Sequence, residues 1–282
     1  MYFDKEKFLR TVKQYSYFSH DIDWNAYEKK LKKVPNQLTK IDPVNDLLRE
    51  IDHHSFAVFN ESPGEETASH HNHREKSVIS KSCDKETGLL KLQGFYCPTN
   101  NPEHLYKNYT DIVSALQKIK DKKYLILDLS ENTGGNMYPW FAALAPLYET
   151  KILGYFQYSY KEKRDAWKLK KDGVYCGDTK WFDAVNHEKY HPEKIAALIS
   201  KETTSSGEAL AMSLKSQKNV KLFGERTAGY TTGNEEFVIG DIRIWLSTGM
   251  MQDKERQSYL DGVTPDISST NSKKSAQEWF AE

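Results

Sequence analysis

Residues 124–129 (YLILDL) form an apolar run of strand length, and it ends in Ser130-Glu131-Asn132-Thr133-Gly134-Gly135. A strand with no polar face must be buried on both sides, so it needs a layer of structure above and below it. The two glycines then allow a sharp backbone turn. Residues 140–147 resume a helical period directly afterwards. Strand, glycine turn and helix in that order point to a layered α/β domain. The same signals recur from residue 88 onward. Residues 89–96 (LLKLQGFY), 195–199 and 220–223 read as strands, and 242–246 with the tail 261–266 close the domain. Residues 109–119 and 207–215 read as helices. Residues 150–192, rich in Tyr, Trp and Lys, read as strands and loops on a solvated surface.

The front of the chain differs. Residues 1–60 place Phe3, Phe8, Leu9 and Val12 near helical spacing, then Trp24, Tyr27 and Leu31, then Ile41, Val44, Leu47, Leu48 and Ile51. Asp42-Pro43 reads as a helix start, with aspartate as N-cap and proline at the first helical position. The expected organisation is a helical N-terminal cap at 1–60, a polar linker or flap at 61–87 and a core at 88–282. The linker holds His70, His71 and His73, but no carboxylate or cysteine stands at a metal-ligand spacing beside them, and a solvated loop is the expectation.

Forty basic residues balance forty acidic ones, which removes the electrostatic footprint of a general nucleic-acid binder. The Lys- and Tyr-rich stretch 154–170 has interleaved acids and reads as a half-exposed sheet surface. Cys83, Cys97 and Cys176 are odd in number and far apart, so neither a complete disulfide framework nor a zinc spacing is present. No apolar run reaches the ~20 residues that span a bilayer. The first residues lack the apolar core of a signal peptide. The expectation is a cytoplasmic chain as given, or an exported or anchored one if an N-terminal segment was trimmed.

Three segments carry chemistry. Thr203-Thr204-Ser205-Ser206-Gly207-Glu208 lies between an apolar strand and a helix. A hydroxyl there sits beside backbone N–H groups that lack helical partners and at the positive end of the helix dipole. Read alone, the serine is more simply an N-cap. The Gly134-Gly135 turn brings bare backbone close to something, as donor or merely as a tight turn. His53-His54-Ser55 offers an imidazole, the usual general base for a serine at neutral pH.

Together and in this order, the segments resemble the tail-specific, C-terminal-processing serine peptidases, relatives of the tricorn core and of interphotoreceptor retinoid-binding protein. The residues that carry the resemblance are Asp128-Leu129-Ser130-Glu131-Asn132-Thr133-Gly134-Gly135, Thr204-Ser205-Ser206-Gly207-Glu208, Gly224-Glu225-Arg226-Thr227-Ala228-Gly229 and Gly262-Val263-Thr264-Pro265-Asp266. The family has arginine where Ser130 stands. Ser205-Ser206-Gly207-Glu208 with Thr227-Ala228-Gly229-Tyr230-Thr231 is similar to the nisin-resistance branch, which cleaves lantibiotic peptides and lacks a PDZ domain. The resemblance implies a spiral of ββα units, as in ClpP and crotonase, behind a helical cap and without a PDZ domain.

It also implies roles. Ser205, three residues before the glutamate, corresponds to the nucleophile, and Ser206 is the alternative. The Ser206 N–H and one from Gly134 or Gly135 correspond to the oxyanion hole. Tail-specific members carry a base lysine where this chain has Tyr230, and a phenol is a poor base at neutral pH. The tricorn and nisin-resistance branches use a histidine from the front of the chain, which matches His54, with His53 as substitute. An acid near the last segment orients it, for which Asp261 is the nearest fit. The implied activity is a serine endopeptidase acting on extended peptides or unfolded protein tails, without metal or cofactor. The rival reading is an inactive peptidase-like binding protein for a peptide or a small hydrophobic ligand. An esterase is disfavoured because no Gly-x-Ser-x-Gly elbow occurs.

Overall fold

A computed structural model describes residues 1–60, 78–95, 101–215 and 217–282. The fold is mixed α/β, with seven α-helices among the described residues. Contacts divide it into two compact units, each assembled from separated stretches. The first comprises Met1–Ser69, Phe156–Arg164 and Thr232–Met251. The second comprises His70–Tyr155, Asp165–Thr231 and Gln252–Glu282.

The second unit is built on a sheet whose strand order is Ile267–Ser268, Val220–Gly224, Lys194–Ile199, Tyr124–Asp128, Thr87–Leu92 and Val78–Ser82. Every neighbouring pair is parallel except the last. Burial explains the unbroken apolar runs: Leu125, Ile126, Leu127, Ile195, Ala196, Ala197 and Leu198 are all at most 2% exposed. Side chains alternate across the sheet. Ile126, Ala196 and Leu198 meet Ala276, Trp279 and Phe280 of the C-terminal helix Ser272–Ala281. The helix Ser206–Lys215 packs against Lys194–Ile199 and Val220–Gly224. The expected solvated surface contains an antiparallel meander, Asp165–Lys170, Gly173–Cys176 and Thr179–Phe182.

The first unit carries the expected helices, Lys5–Tyr15, Trp24–Lys33 and Asp42–Arg49. Asp4 and Asp23 cap the first two by accepting first-turn N–H groups. Asp42 is already helical and Ile41 holds the cap position, a shift of one residue from the expected start. The strand Ile242–Gln252 runs antiparallel between Phe56–Phe59 and Thr232–Ile239. Its Ile242, Ile244 and Leu246, together with Ile239, complete a core with Phe3, Phe8, Val12, Leu31 and Leu48.

Several elements depart from the sequence reading. Phe56–Phe59 is a strand inside the stretch expected to be a helical cap. Val78–Ser82 is a strand inside the stretch expected to be a polar connection. Thr232–Ile239 is a strand in a stretch to which the sequence reading assigned no element. Ser272–Ala281 is a helix beyond the last expected element. His70, His71, His73 and Cys97 lie outside the described residues.

Candidate active site

Four parallel strands of the second unit end on the same side, and their C-terminal loops are stitched to one another. Such strand ends are where open α/β sheets commonly bind ligands. Asn132, fully buried, donates from Nδ2 to the Leu92 carbonyl at 3.2 Å, and its own carbonyl accepts the Thr204 N–H at 2.9 Å. Phe95 N–H reaches the Gly134 carbonyl at 2.9 Å, and Ala228 N–H reaches the Thr203 carbonyl at 3.1 Å. Thr203 Oγ1 donates to the Leu129 carbonyl at 2.8 Å.

Ser205 immediately precedes the helix Ser206–Lys215 and has φ +51°. That left-handed conformation is unfavourable for a residue with a Cβ, and its strain must be held by surrounding bonds. Glu208 holds it. Oε2 accepts the Ser205 N–H at 2.9 Å, while Oε1 accepts the Gly229 N–H at 2.8 Å and the Thr227 hydroxyl at 2.5 Å. Burial pushes the Glu208 carboxyl upward, against the pull of these donors. This is half of a capping box. The glutamate reaches back to the cap N–H, but the serine hydroxyl does not return the bond: Glu208 N–H is taken by the Ser205 carbonyl at 2.9 Å. The simple N-cap reading of Ser205 therefore fails, and the hydroxyl is left for other work on a half-buried residue.

Ser206 is different. It is buried, and its hydroxyl donates to the Gly135 carbonyl at 2.7 Å. Gly134 lies against Ser205: a Cβ built there would sit 3.0 Å from Ser205 Cβ, at φ +88°. Its N–H is committed to Asn132 Oδ1 at 3.0 Å. Among the described residues neither the Gly135 N–H nor the Ser206 N–H has a protein acceptor, and Gly135 is exposed. The arrangement gathers the Ser205 hydroxyl, the Ser206 N–H and the Gly134-Gly135 turn at one helix start, and such backbone donors beside a hydroxyl are parts that acyl transfer needs.

The Gly262-to-Asp266 segment supports this loop system. Val263 N–H and carbonyl pair with Thr227 Oγ1 at 2.7 Å and Thr227 N–H at 3.1 Å. Asp266 joins Lys215 at 2.6 Å. Asp261 belongs to the second unit and is exposed, and Tyr230 is half-buried.

His54 belongs to the first unit. Asp52 accepts the His54 and Ser55 N–H groups at 2.8 Å each and the Ser55 hydroxyl at 2.6 Å, which fixes the backbone carrying the imidazole. The ring nitrogen Nδ1 stands 2.7 Å from Thr232 Oγ1. Burial pushes the imidazole down to about 4, opposed by the Asp52 charge and reinforced by His53. The ring is thus neutral, the form a general base requires. His53 is exposed.

The model of "Peptidase family S41" matches residues 86–269. The chain belongs to peptidase family S41. A nisin-resistance protein of Lactococcus lactis subsp. lactis is 31% identical over 177 residues, which is 62% of this chain and 54% of that protein. The chain thus spans about half the length of this curated relative. A lipoprotein structure from Streptococcus agalactiae superposes with TM-score 0.77 at 25% identity, over 98% of this chain and 94% of that one. The photosystem II D1 C-terminal processing protease superposes with TM-score 0.56 at 13% identity, over 94% and 92%. The S41 chain therefore shares its fold with processing peptidases, and no PDZ module stands among its described residues.

The S41 match contains Ser205, Ser206, Gly134, Gly135 and Asp261, and the structure brings the first four together. No group of three or more His, Cys, Asp or Glu side chains suited to a metal occurs among the described residues. No helix among them is long and apolar enough to cross a membrane. Sequence reasoning missed Asn132 as the residue joining glycine turn and serine loop, and it missed Thr232 as the partner of His54. The first had a signal, an asparagine two residues before the glycine that it holds. The second had none, being 178 positions from its partner.

Proposed function

We propose that this S41 peptidase is a serine-type endopeptidase that cleaves extended peptides or protein C-terminal tails by acyl transfer. Ser205 Oγ attacks the scissile carbonyl and His54 accepts its proton. Ser206 N–H and Gly135 N–H bind the developing oxyanion. Gly134, the other glycine named by the sequence, supports the turn because its N–H already has an acceptor. His54 then returns the proton to the leaving amine, and water repeats the cycle on the acyl-enzyme.

The observation that carries the reading is the strained Ser205 at a helix start, with its hydroxyl spared from capping and the Gly134-Gly135 turn packed against it. Strain of this kind costs of order 1–3 kcal/mol and persists where function uses it. The names of the relatives suggest the substrates to try: nisin, and peptides ending in a free C-terminus. The test is covalent labelling by a fluorophosphonate probe, followed by cleavage of those peptides. Wild type should label, and Ser205→Ala should not. His54→Ala should label slowly, because acid–base catalysis contributes roughly 10²–10⁴-fold. A folded wild-type protein that never labels, yet retains peptides or a small hydrophobic ligand, would sink the peptidase reading in favour of a binding protein.

A further inference from the structure

The acid expected to orient the base is Asp261, yet the atom beside His54 Nδ1 is a hydroxyl. That hydroxyl belongs to a chain whose polarity can be worked out by counting hydrogens. Thr232 Oγ1 lies 2.7 Å from His54 Nδ1 and 3.0 Å from Ser247 Oγ. Ser247 Oγ in turn lies 2.8 Å from Asp52 Oδ1 and 3.1 Å from Asn234 Oδ1. A carboxylate can only accept. Asn234 is oriented by its other end: its amide Nδ2 donates to the His54 carbonyl at 2.9 Å, so Oδ1 faces Ser247 as an acceptor. Ser247 has one hydroxyl hydrogen, and both of these neighbours demand it. Toward Thr232, then, Ser247 can only accept. The arrangement that gives every one of these contacts a hydrogen has Thr232 donating to Ser247 and accepting from His54. The proton between His54 and Thr232 is therefore on Nδ1.

We infer that Thr232, Ser247 and Asp52 form a hydroxyl relay that fixes His54 as the Nδ1–H tautomer and leaves Nε2 as the basic nitrogen. The relay does for this imidazole what a directly bonded carboxylate does elsewhere, with the charge of Asp52 delivered through two hydroxyls. When Nε2 takes up a proton, the imidazolium still donates from Nδ1, so no hydrogen in the relay has to reverse. Thr232, Ser247 and Asp52 are positioning residues: none is asked to touch substrate. The two hydroxyl residues of the relay are buried, Thr232 5% and Ser247 0% exposed, which shields their hydrogens from competing water. Asp52 also grips the His54 and Ser55 N–H groups, so the same carboxylate sets both the backbone and the proton. The catalytic meaning of the tautomer rests on the peptidase reading above. The tautomer itself does not.

The test separates the two. Protein labelled with ¹⁵N in its histidines is observed at pH 7.5, and His54→Gln identifies which of the nine signals belongs to His54. Wild type should show a protonated Nδ1 and an unprotonated Nε2. Thr232→Val keeps the shape but removes the acceptor. It should shift His54 toward the Nε2–H form and slow fluorophosphonate labelling roughly 10²-fold, the lower end of what acid–base catalysis supplies. Thr232→Ser restores the hydroxyl and should recover both tautomer and rate. A wild-type His54 protonated at Nε2 would overturn the relay while leaving the peptidase reading intact. So would a folded Thr232→Val protein with the wild-type tautomer. A protein with the expected tautomer and Thr232 dependence that never labels would support the relay and remove the peptidase reading instead.

Discussion

Ser205 shows how much a single φ angle decides. At +51° its backbone is in a region that glycine enters freely and serine does not. Ser205→Gly should therefore be more stable than Ser205→Ala by about 1 kcal/mol, roughly 2–4 °C in Tm. Both variants should be inert to the fluorophosphonate probe. A Tm for Ser205→Gly at or below that of Ser205→Ala would mean the conformation stores no strain. His54 makes a second prediction at this scale. Its pKa in the fold, pushed down to about 4, lies below the ordinary value near 6.5. The unfolded chain thus takes up the proton more readily. The stability contributed by the neutral ring is complete above pH 6.5 and is lost as pH falls toward 4. The labelling rate of the free protein should accordingly stay near its plateau at pH 5.5. An unperturbed histidine would leave only about a tenth of it. A rate that halves near pH 6.5 would contradict the lowered pKa of His54 or its proposed role as base.

At the scale of elements, the apolar period made the sheet legible. Residues 124–129 and 195–199 announce buried strands because no face of theirs sees water, and Ser205 could be placed at a helix start because a helical period follows it. What escaped was structure whose partners supply the apolar contacts. Val78–Ser82 has no buried residue of its own, being an edge strand paired to Thr87–Leu92. Ser272–Ala281 shows only Ala276, Trp279 and Phe280 at i, i+3, i+4, a short stripe behind an Asn271 cap. That stripe nevertheless covers one side of the central strands, where Phe280 stacks on Tyr124 at 4.8 Å and Trp279 lies 5.7 Å from Phe223. Trp279→Ala should cost about 3 kcal/mol, read as a lower urea midpoint at unchanged slope. A change below about 0.5 kcal/mol would reduce the helix to surface decoration.

On the scale of the whole molecule, the family and the α/β class were legible, because ordered motifs survive in sequence whatever lies between them. The composition of the first unit was not. Its core joins Phe3, Phe8 and Leu48 to Ile239, Ile242, Ile244 and Leu246, and nothing in residues 1–60 advertises that dependence. A fragment of residues 1–60 should consequently fail to fold. Its circular dichroism should show little helix, and its thermal trace should lack a cooperative transition, since isolated helices of this length are marginal in water. A cooperative melt of that fragment would show that the helices need no strand beneath them. The same long reach hid the surroundings of His54: the imidazole is announced early, but Thr232, Asn234 and Ser247 come from the far end of the chain.

The interleaving of the first unit has a consequence for biosynthesis. A ribosome making this protein delivers His54 and then Ser205 before the strand bearing Ser247 emerges. Until it does, the imidazole has no fixed proton and its helices have no floor. The core of the first unit thus closes only when this one late strand inserts, and the surroundings of the imidazole form at that same moment.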